Sequence, residues 1–336
     1  MRVVAAPDKY RGSASANEIA AAIAKAVEDY SGTCTQLPLA DGGEGTLDAF
    51  GGPNRWTEVT GPLGLPVKAG WRLDAGGRAV IEMARASGLV LAGGAEGNDP
   101  YRASTHGTGE LIAAAVEAGA RRIVVAVGGS ATTDGGLGAL EVLANRRIDQ
   151  GGTEVVVCCD VNTRFTDAAR VFGPQKGASP EQVEQLTDRL IRLQDEYTRL
   201  FGVTVADLPG AGAAGGLAGG LAALGARLVS GFDLIAAEVG LPRALPGADL
   251  VITGEGLLDA GSFEGKVVGG VTALARQFEV PVLAVVGAVH PDARGWIPTV
   301  ALVDEFGETA AWESTLDCVR LAVQRRLAGG SLDSGC

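Results

Sequence analysis

Val3-Val-Ala-Ala-Pro-Asp8 and, one helix later, Cys34-Thr-Gln-Leu-Pro-Leu-Ala-Asp41 decide how this chain folds. Each apolar run is too short for a helix and ends at a carboxylate. Residues 3–6 predict a buried strand closed by Pro7-Asp8. Ser15 and Glu18 have capping-box spacing, and Ile19, Ile23 and Val27 recur on one helical face, so a helix follows and stops at Gly32. Residues 34–39 predict a second strand. Together they make a βαβ unit with polar groups at both strand ends.

The same pattern returns late in the chain. Residues 248–253 are largely apolar and run into Gly254-Glu255-Gly256. A helix over 267–277, strands over 281–286 and 299–303, and a last helix over 314–327 follow. Five strands alternating with helices predict an α/β fold with a doubly wound parallel sheet, assembled from residues 1–52 and 245–336.

Residues 53–244 have a different texture and predict an inserted mixed α/β domain. Turns at Gly61-Pro62, Gly64-Leu65-Pro66 and Gly76-Gly77 divide residues 55–81 into antiparallel strands. A helix is expected over 108–118, with buried strands over 123–127 and 154–159. A long helix begins at Ser179-Pro180, where Gln182 completes a capping box. Val183, Leu186, Leu190, Leu193 and Tyr197 form its apolar stripe.

The net charge of −12 argues against nucleic acid, whose binders gather Lys and Arg on one face. No apolar run approaches a membrane span, and Arg2 and Asp8 interrupt the start too early for a signal peptide. The expected location is the cytoplasm. Five cysteines (Cys34, Cys158, Cys159, Cys318, Cys336) and two histidines (His106, His290) show no metal-ligand spacing.

Glycine is abundant, with 51 residues and no collagen-like period, so many glycines must shape turns and ligand loops. Three glycine-rich segments carry carboxylates close behind strand-like runs: Asp41-Gly-Gly-Glu44-Gly-Thr46, Gly128-Gly-Ser-Ala-Thr-Thr-Asp134-Gly-Gly136 and Thr253-Gly-Glu255-Gly256. Glycine backbone can cradle phosphate oxygens, and carboxylates can hold Mg²⁺. Repeated three times, the pairing predicts one site for a metal-bound phosphate compound. Ordinary loop capping is the better explanation of any one such loop taken alone, but it accounts poorly for their joint occurrence at successive strand ends.

No Walker A sequence exists, because Gly265-Lys266 is followed by Val267. Gly210-Ala-Gly212-Ala-Ala-Gly215 fits a dinucleotide pattern, but Leu208-Pro209 stands where a strand should end, so a helix start of small residues is the better reading. Phe172-Gly-Pro-Gln-Lys176-Gly177 puts a cation at a tight turn, open to a surface role as much as to chemistry.

Ala6-Pro-Asp-Lys-Tyr-Arg-Gly12, Ala40-Asp-Gly-Gly-Glu-Gly-Thr46, Gly107-Thr-Gly-Glu110, the segment Gly128 to Gly136, Val171-Phe-Gly-Pro-Gln-Lys-Gly-Ala178, Pro209-Gly-Ala-Gly-Ala-Ala-Gly-Gly216 and Val251-Ile-Thr-Gly-Glu-Gly256 succeed one another across nearly the whole chain. In that order they resemble the bacterial glycerate kinases. The resemblance implies ATP-dependent phosphorylation of D-glycerate, usually to 2-phosphoglycerate, by a flavodoxin-like domain split in sequence around a second α/β domain. A homodimer is a possible assembly.

The chain departs from that pattern at Asp8-Lys9-Tyr10-Arg11, where Asp-Ser-Phe/Tyr-Lys is usual. It departs again at Leu257 and Gly261, in place of Arg and Gln, and in a shortened stretch over 145–154. Carried onto this sequence, the implied roles place glycerate between the domains, its carboxylate on Arg11, with Lys176 or Arg102. Asp8 or Asp41 would orient and deprotonate the hydroxyl. ATP phosphates would lie over Gly128, Gly129 and Ser130, with Thr132, Gly254 and Lys266 beside them. Asp134 and Glu255 would hold Mg²⁺. Phosphoryl transfer rests on positioning and charge neutralisation, which this inventory of glycine, carboxylate and cation can supply.

Overall fold

The first helix starts where its capping box predicts. Glu18 N–H donates to Ser15 Oγ at 3.3 Å and Ser15 N–H to Glu18 Oε2 at 2.9 Å, opening helix Ala16–Asp29. Its Ile19, Ile23 and Val27 pack against Val319, Ala322 and Val323 of helix Thr315–Ala328 and against the strands beneath. The computed structural model describes residues 1–144 and 152–329. Most of the shortened stretch 145–154, and Cys336, lie outside the described residues.

In chain order the strands are β1 Arg2–Ala5, β2 Thr33–Gln36, β3 Arg55–Thr60, β4 Pro66–Leu73, β5 Arg78–Glu82, β6 Arg122–Ala126, β7 Glu154–Cys158, β8 Arg227–Val229, β9 Leu250–Thr253, β10 Leu257–Leu258, β11 Val282–Val286, β12 Ala288–Val289 and β13 Thr299–Ala301. The chain divides into two units, one of Met1–Asp41 with Phe232–Cys336 and one of Gly42–Gly231.

The first unit carries the sheet β13-β11-β9-β1-β2, parallel throughout. Numbered by sequence within the sheet, this is the 2-1-3-4-5 order of flavodoxin-like folds. Val3, Val4, Leu250, Val251, Ile252 and Leu283 are buried, as strands covered on both faces require. β2 ends earlier than residues 34–39 suggest. Leu37 and Leu39 N–H still reach Ala5 and Pro7 carbonyls beyond its end, and Pro38, whose missing N–H would face the open edge, costs no bond to β1. The strand order reverses between β1 and β9, so their carboxyl ends flank the crevice where such sheets bind ligands.

The second unit carries the sheet β3-β4-β5-β6-β7-β8, antiparallel from β3 to β5 and parallel from β5 to β8. Residues 42–52 pack here: Leu47 N–H donates to the buried Glu82 carboxylate at 2.9 Å. The helix Gly231–Val239 belongs almost entirely to the first unit, with Phe232 against Gly270. Helix Pro180–Phe201 lays Leu186, Leu190, Leu193 and Tyr197 on Phe165 in a satellite core. No helix among the described residues is long and apolar enough to cross a membrane.

Candidate functional site

The carboxyl end of β1 delivers Asp8, and that of β9 delivers Glu255. The two exits are tied together: Ala6 N–H donates to Ile252 O and Asp8 N–H to Gly254 O, each at 2.8 Å, while Thr253 Oγ1 donates to Ala6 O at 2.9 Å. Tyr10, buried beyond Asp8, donates its hydroxyl to Val285 O at the end of β11. The turn that carries Arg11 is pinned by Tyr10 N–H to Ala14 O at 2.8 Å.

Both carboxylates are almost out of water, Asp8 at 7% and Glu255 at 9% exposure. Burial pushes Asp8 up to about 6; Lys9 beside it pulls the other way and the Asp41 charge adds to the rise. Burial likewise pushes Glu255 up to about 7, against Ser262 and Lys266 and with the help of Asp8 and Asp259. Asp8 Oδ1 accepts from Lys9 N–H at 2.7 Å, with Lys9 Nζ at 3.6 Å. Glu255 Oε1 is buried with no hydrogen-bond partner. An orphaned carboxylate oxygen is costly, and a bound cation would satisfy it. Lys266 is the N-cap of helix Val267–Gln277, whose first N–H groups favour anions.

Gly254 serves packing here. A Cβ on it would lie 1.9 Å from Val285 O and 2.7 Å from the Tyr10 hydroxyl. Gly254→Ala is expected to cost ~1–3 kcal/mol of stability by overpacking, read as a lower urea midpoint at unchanged slope. An unchanged midpoint would show that the strand ends spread at no cost.

The second unit gathers Gly128, Gly129, Ser130, Thr132, Asp134 and Lys176 around other glycine loops. A Cβ on Gly128 would lie 2.6 Å from Gly43 Cα, and one on Gly215 would lie 2.0 Å from Thr132 O. Ala214 holds φ +53° without being glycine, a strained setting inside this contact. The dinucleotide reading of Gly210 to Gly215 does not apply, because a 3₁₀ turn over Ala213–Gly216 follows no strand.

Two of the expected ligand-facing residues are buried. Asp134, placed on Mg²⁺ by its motif, is 1% exposed and committed to four donors: Thr105 N–H at 2.8 Å, Thr105 Oγ1 at 2.7 Å, Gly136 N–H at 3.1 Å and Gly138 N–H at 3.2 Å. It holds the loop together. Thr132 is fully buried, with its hydroxyl 3.4 Å from Ala214 O. Lys176 is no surface lysine: it is 2% exposed, donates to Thr132 O at 2.7 Å, and burial pulls its amine down to about 7 against the nearby Asp134 charge. Asn98 ties this network by donating to Ala131 O and Lys176 O. Neither Asn98 nor Thr105 lies in a pattern that points to Asp134 or Lys176, so only the fold reveals them. Arg102 sits in a separate turn closed on Asp99.

Comparison with known proteins follows the same lines. The model of the "Glycerate kinase family" matches residues 3–160 and 149–299. The chain belongs to the glycerate kinase family. It is 39% identical to a glycerate 2-kinase of Escherichia coli over 87% of this chain and 86% of that one. It is 38% identical to a glycerate kinase of Bacillus subtilis over the same shares of the two chains. A crystal structure from Salmonella typhimurium LT2, provisionally assigned as glycerate kinase 2, matches with a TM-score of 0.83 at 36% identity and covers 98% of both chains. Family membership agrees with the resemblance read from the motifs, and the α/β fold agrees with the strand pattern.

Proposed function

We propose that this protein transfers the γ-phosphoryl group of ATP to D-glycerate, giving ADP and 2-phosphoglycerate. The observation that carries the reading is the pair of buried carboxylates, Asp8 and Glu255, at the topological switch point of a glycerate kinase family sheet. Asp8, pushed up to about 6, is matched to a general base at neutral pH. It takes the proton from the acceptor hydroxyl; that oxygen then bonds to the γ-phosphorus as the bond to ADP breaks.

Mg²⁺ fits through the orphaned Glu255 Oε1, because it can bind through a single carboxylate and fill its shell with phosphate and water. When bound it would neutralise phosphate charge. Lys266 and the helix behind it supply positive potential for the phosphates. Arg11, exposed beside Tyr10, offers a planar donor pair for the glycerate carboxylate. Gly254 acts by letting the strands close. Lys176 takes no step in this reading, because its amine is held by Thr132 O.

The test is ADP release coupled to D-glycerate, with phosphorus NMR of the product. No ADP release with D-glycerate and Mg·ATP would overturn the proposal, and 3-phosphoglycerate as product would correct the regiochemistry.

Asp41 is assigned to tuning. Its charge helps keep the proton on Asp8, so Asp41→Asn should move the acid limb of the kcat/KM profile below its expected position near pH 6. More Asp8 would then be ionised at pH 5. A limb that stays in place would separate Asp41 from Asp8.

A further inference from the structure

A pocket of about 490 Å³ opens in the first unit, lined among others by Arg11, Ser13, Leu257, Glu308 and Trp312. It adjoins the reacting cluster through the chain itself: Tyr10 and Arg11 follow Asp8 and Lys9, and Gly256 and Leu257 follow Glu255. The volume suits a nucleoside-sized ligand and far exceeds a three-carbon acid. Two large apolar side chains stand exposed around it, Leu257 at 51% and Trp312 at 62%. The indole is nonetheless seated, because Gly12, at φ +85°, has no Cβ: one would lie 3.0 Å from Trp312 Cη2. An exposed indole held in place beside an exposed leucine makes a stacking surface.

We propose that this pocket receives the purine and ribose of the phosphoryl donor, with Trp312 and Leu257 as its apolar contacts. The assignment rests on the kinase reading above and names the site of its second substrate. The polar groups on the rim suit that occupant. Glu308, exposed and acceptor-only when ionised, matches the amino groups on a purine edge, and Ser13 offers a hydroxyl to the ribose. Leu257 keeps this wall apolar.

The experiment titrates the intact protein with adenosine and with guanosine, reading tryptophan fluorescence, and compares Trp312→Phe and Trp312→Ala in steady-state assays. Saturable quenching by one nucleoside is expected, and it should disappear in Trp312→Phe. In Trp312→Ala the KM for ATP should rise roughly ten- to a hundredfold, the range lost with a base–aromatic stack, while the KM for glycerate stays within about twofold.

Nucleosides that leave the fluorescence unchanged, quenching by glycerate instead, or a rise confined to the glycerate KM would each overturn the proposal, as would concentration-dependent dimerisation that buries Trp312. Because a nucleoside carries no phosphate, the quench reads the pocket alone. Wild-type protein that quenches with adenosine yet releases no ADP on glycerate would sink the kinase reading and support the pocket.

Discussion

Asp8→Asn should lower kcat for glycerate phosphorylation by roughly 10²–10⁴-fold, the usual loss when a positioned base is removed. Folding should survive, because the anchoring of this segment runs through backbone: Asp8 N–H to Gly254 O and Ala6 N–H to Ile252 O. The carboxylate itself accepts only from its neighbour Lys9 among the hydrogen bonds of the described residues. Stability gives an independent readout. Asp8 is raised from 3.8 to about 6, so the folded state holds its proton more tightly than the unfolded one. That contribution to stability is complete below pH 3.8 and is lost as pH rises through about 6. Above it the buried, ionised Asp8 burdens the fold by up to about 3 kcal/mol. Asp8→Asn should therefore raise Tm at pH 8 and leave it nearly unchanged near pH 4. A variant with full activity, or one destabilised equally at both pH values, would remove Asp8 from the role proposed here.

Asp134→Ala should give the largest loss of stability of any single change considered, ~3–5 kcal/mol at neutral pH, as expected when several buried donors lose their acceptor at once. Four donors lose their acceptor together, two from Thr105 and one each from Gly136 and Gly138. Thr105 Oγ1 in turn accepts Ala139 N–H at 3.0 Å, so the start of helix Leu137–Leu143 loosens with it. Asp134→Asn keeps one acceptor oxygen and should lose distinctly less. Urea unfolding of the two variants measures the difference. A loss below about 1 kcal/mol for Asp134→Ala would mean water replaces the carboxylate at no cost, which fits poorly with a buried network.

Local chemistry made much of this fold legible. The capping boxes at Ser15 and Ser179 start helices in the structure, because their bonds close within three residues. The apolar runs before Asp8, Glu255 and Gly128 are strands, since short β-branched stretches suit a sheet covered on both faces. What stayed hidden depends on contacts between distant residues. Asp134 read as a free loop carboxylate because its partner Thr105 lies 29 residues away and carries no motif. Gly128 read as part of a phosphate loop, and its missing side chain also lets its backbone touch that of Gly43. Lys176 read as a turn lysine until its burial against Thr132 was visible. Trp312, in a short helix near the end of the chain, carried no periodic signal of the stacking surface it forms.

The split of the first unit bears on how the protein is made. β1 lies between β2 and β9 and pairs with both, although β9 is synthesised after all of Gly42–Gly231 has been translated. On the ribosome the N-terminal hairpin of strand, helix and strand emerges first and must wait with one edge of β1 unpaired. Meanwhile the contiguous Gly42–Gly231 segment has every strand of its own sheet at hand and can collapse ahead of it. Such late, long-range closure is slow and leaves an edge open to other nascent chains. Moving the break in the chain, by circular permutation that joins the two ends of this sequence and opens a loop near Asp41, would present the five parallel strands consecutively and shorten that exposure.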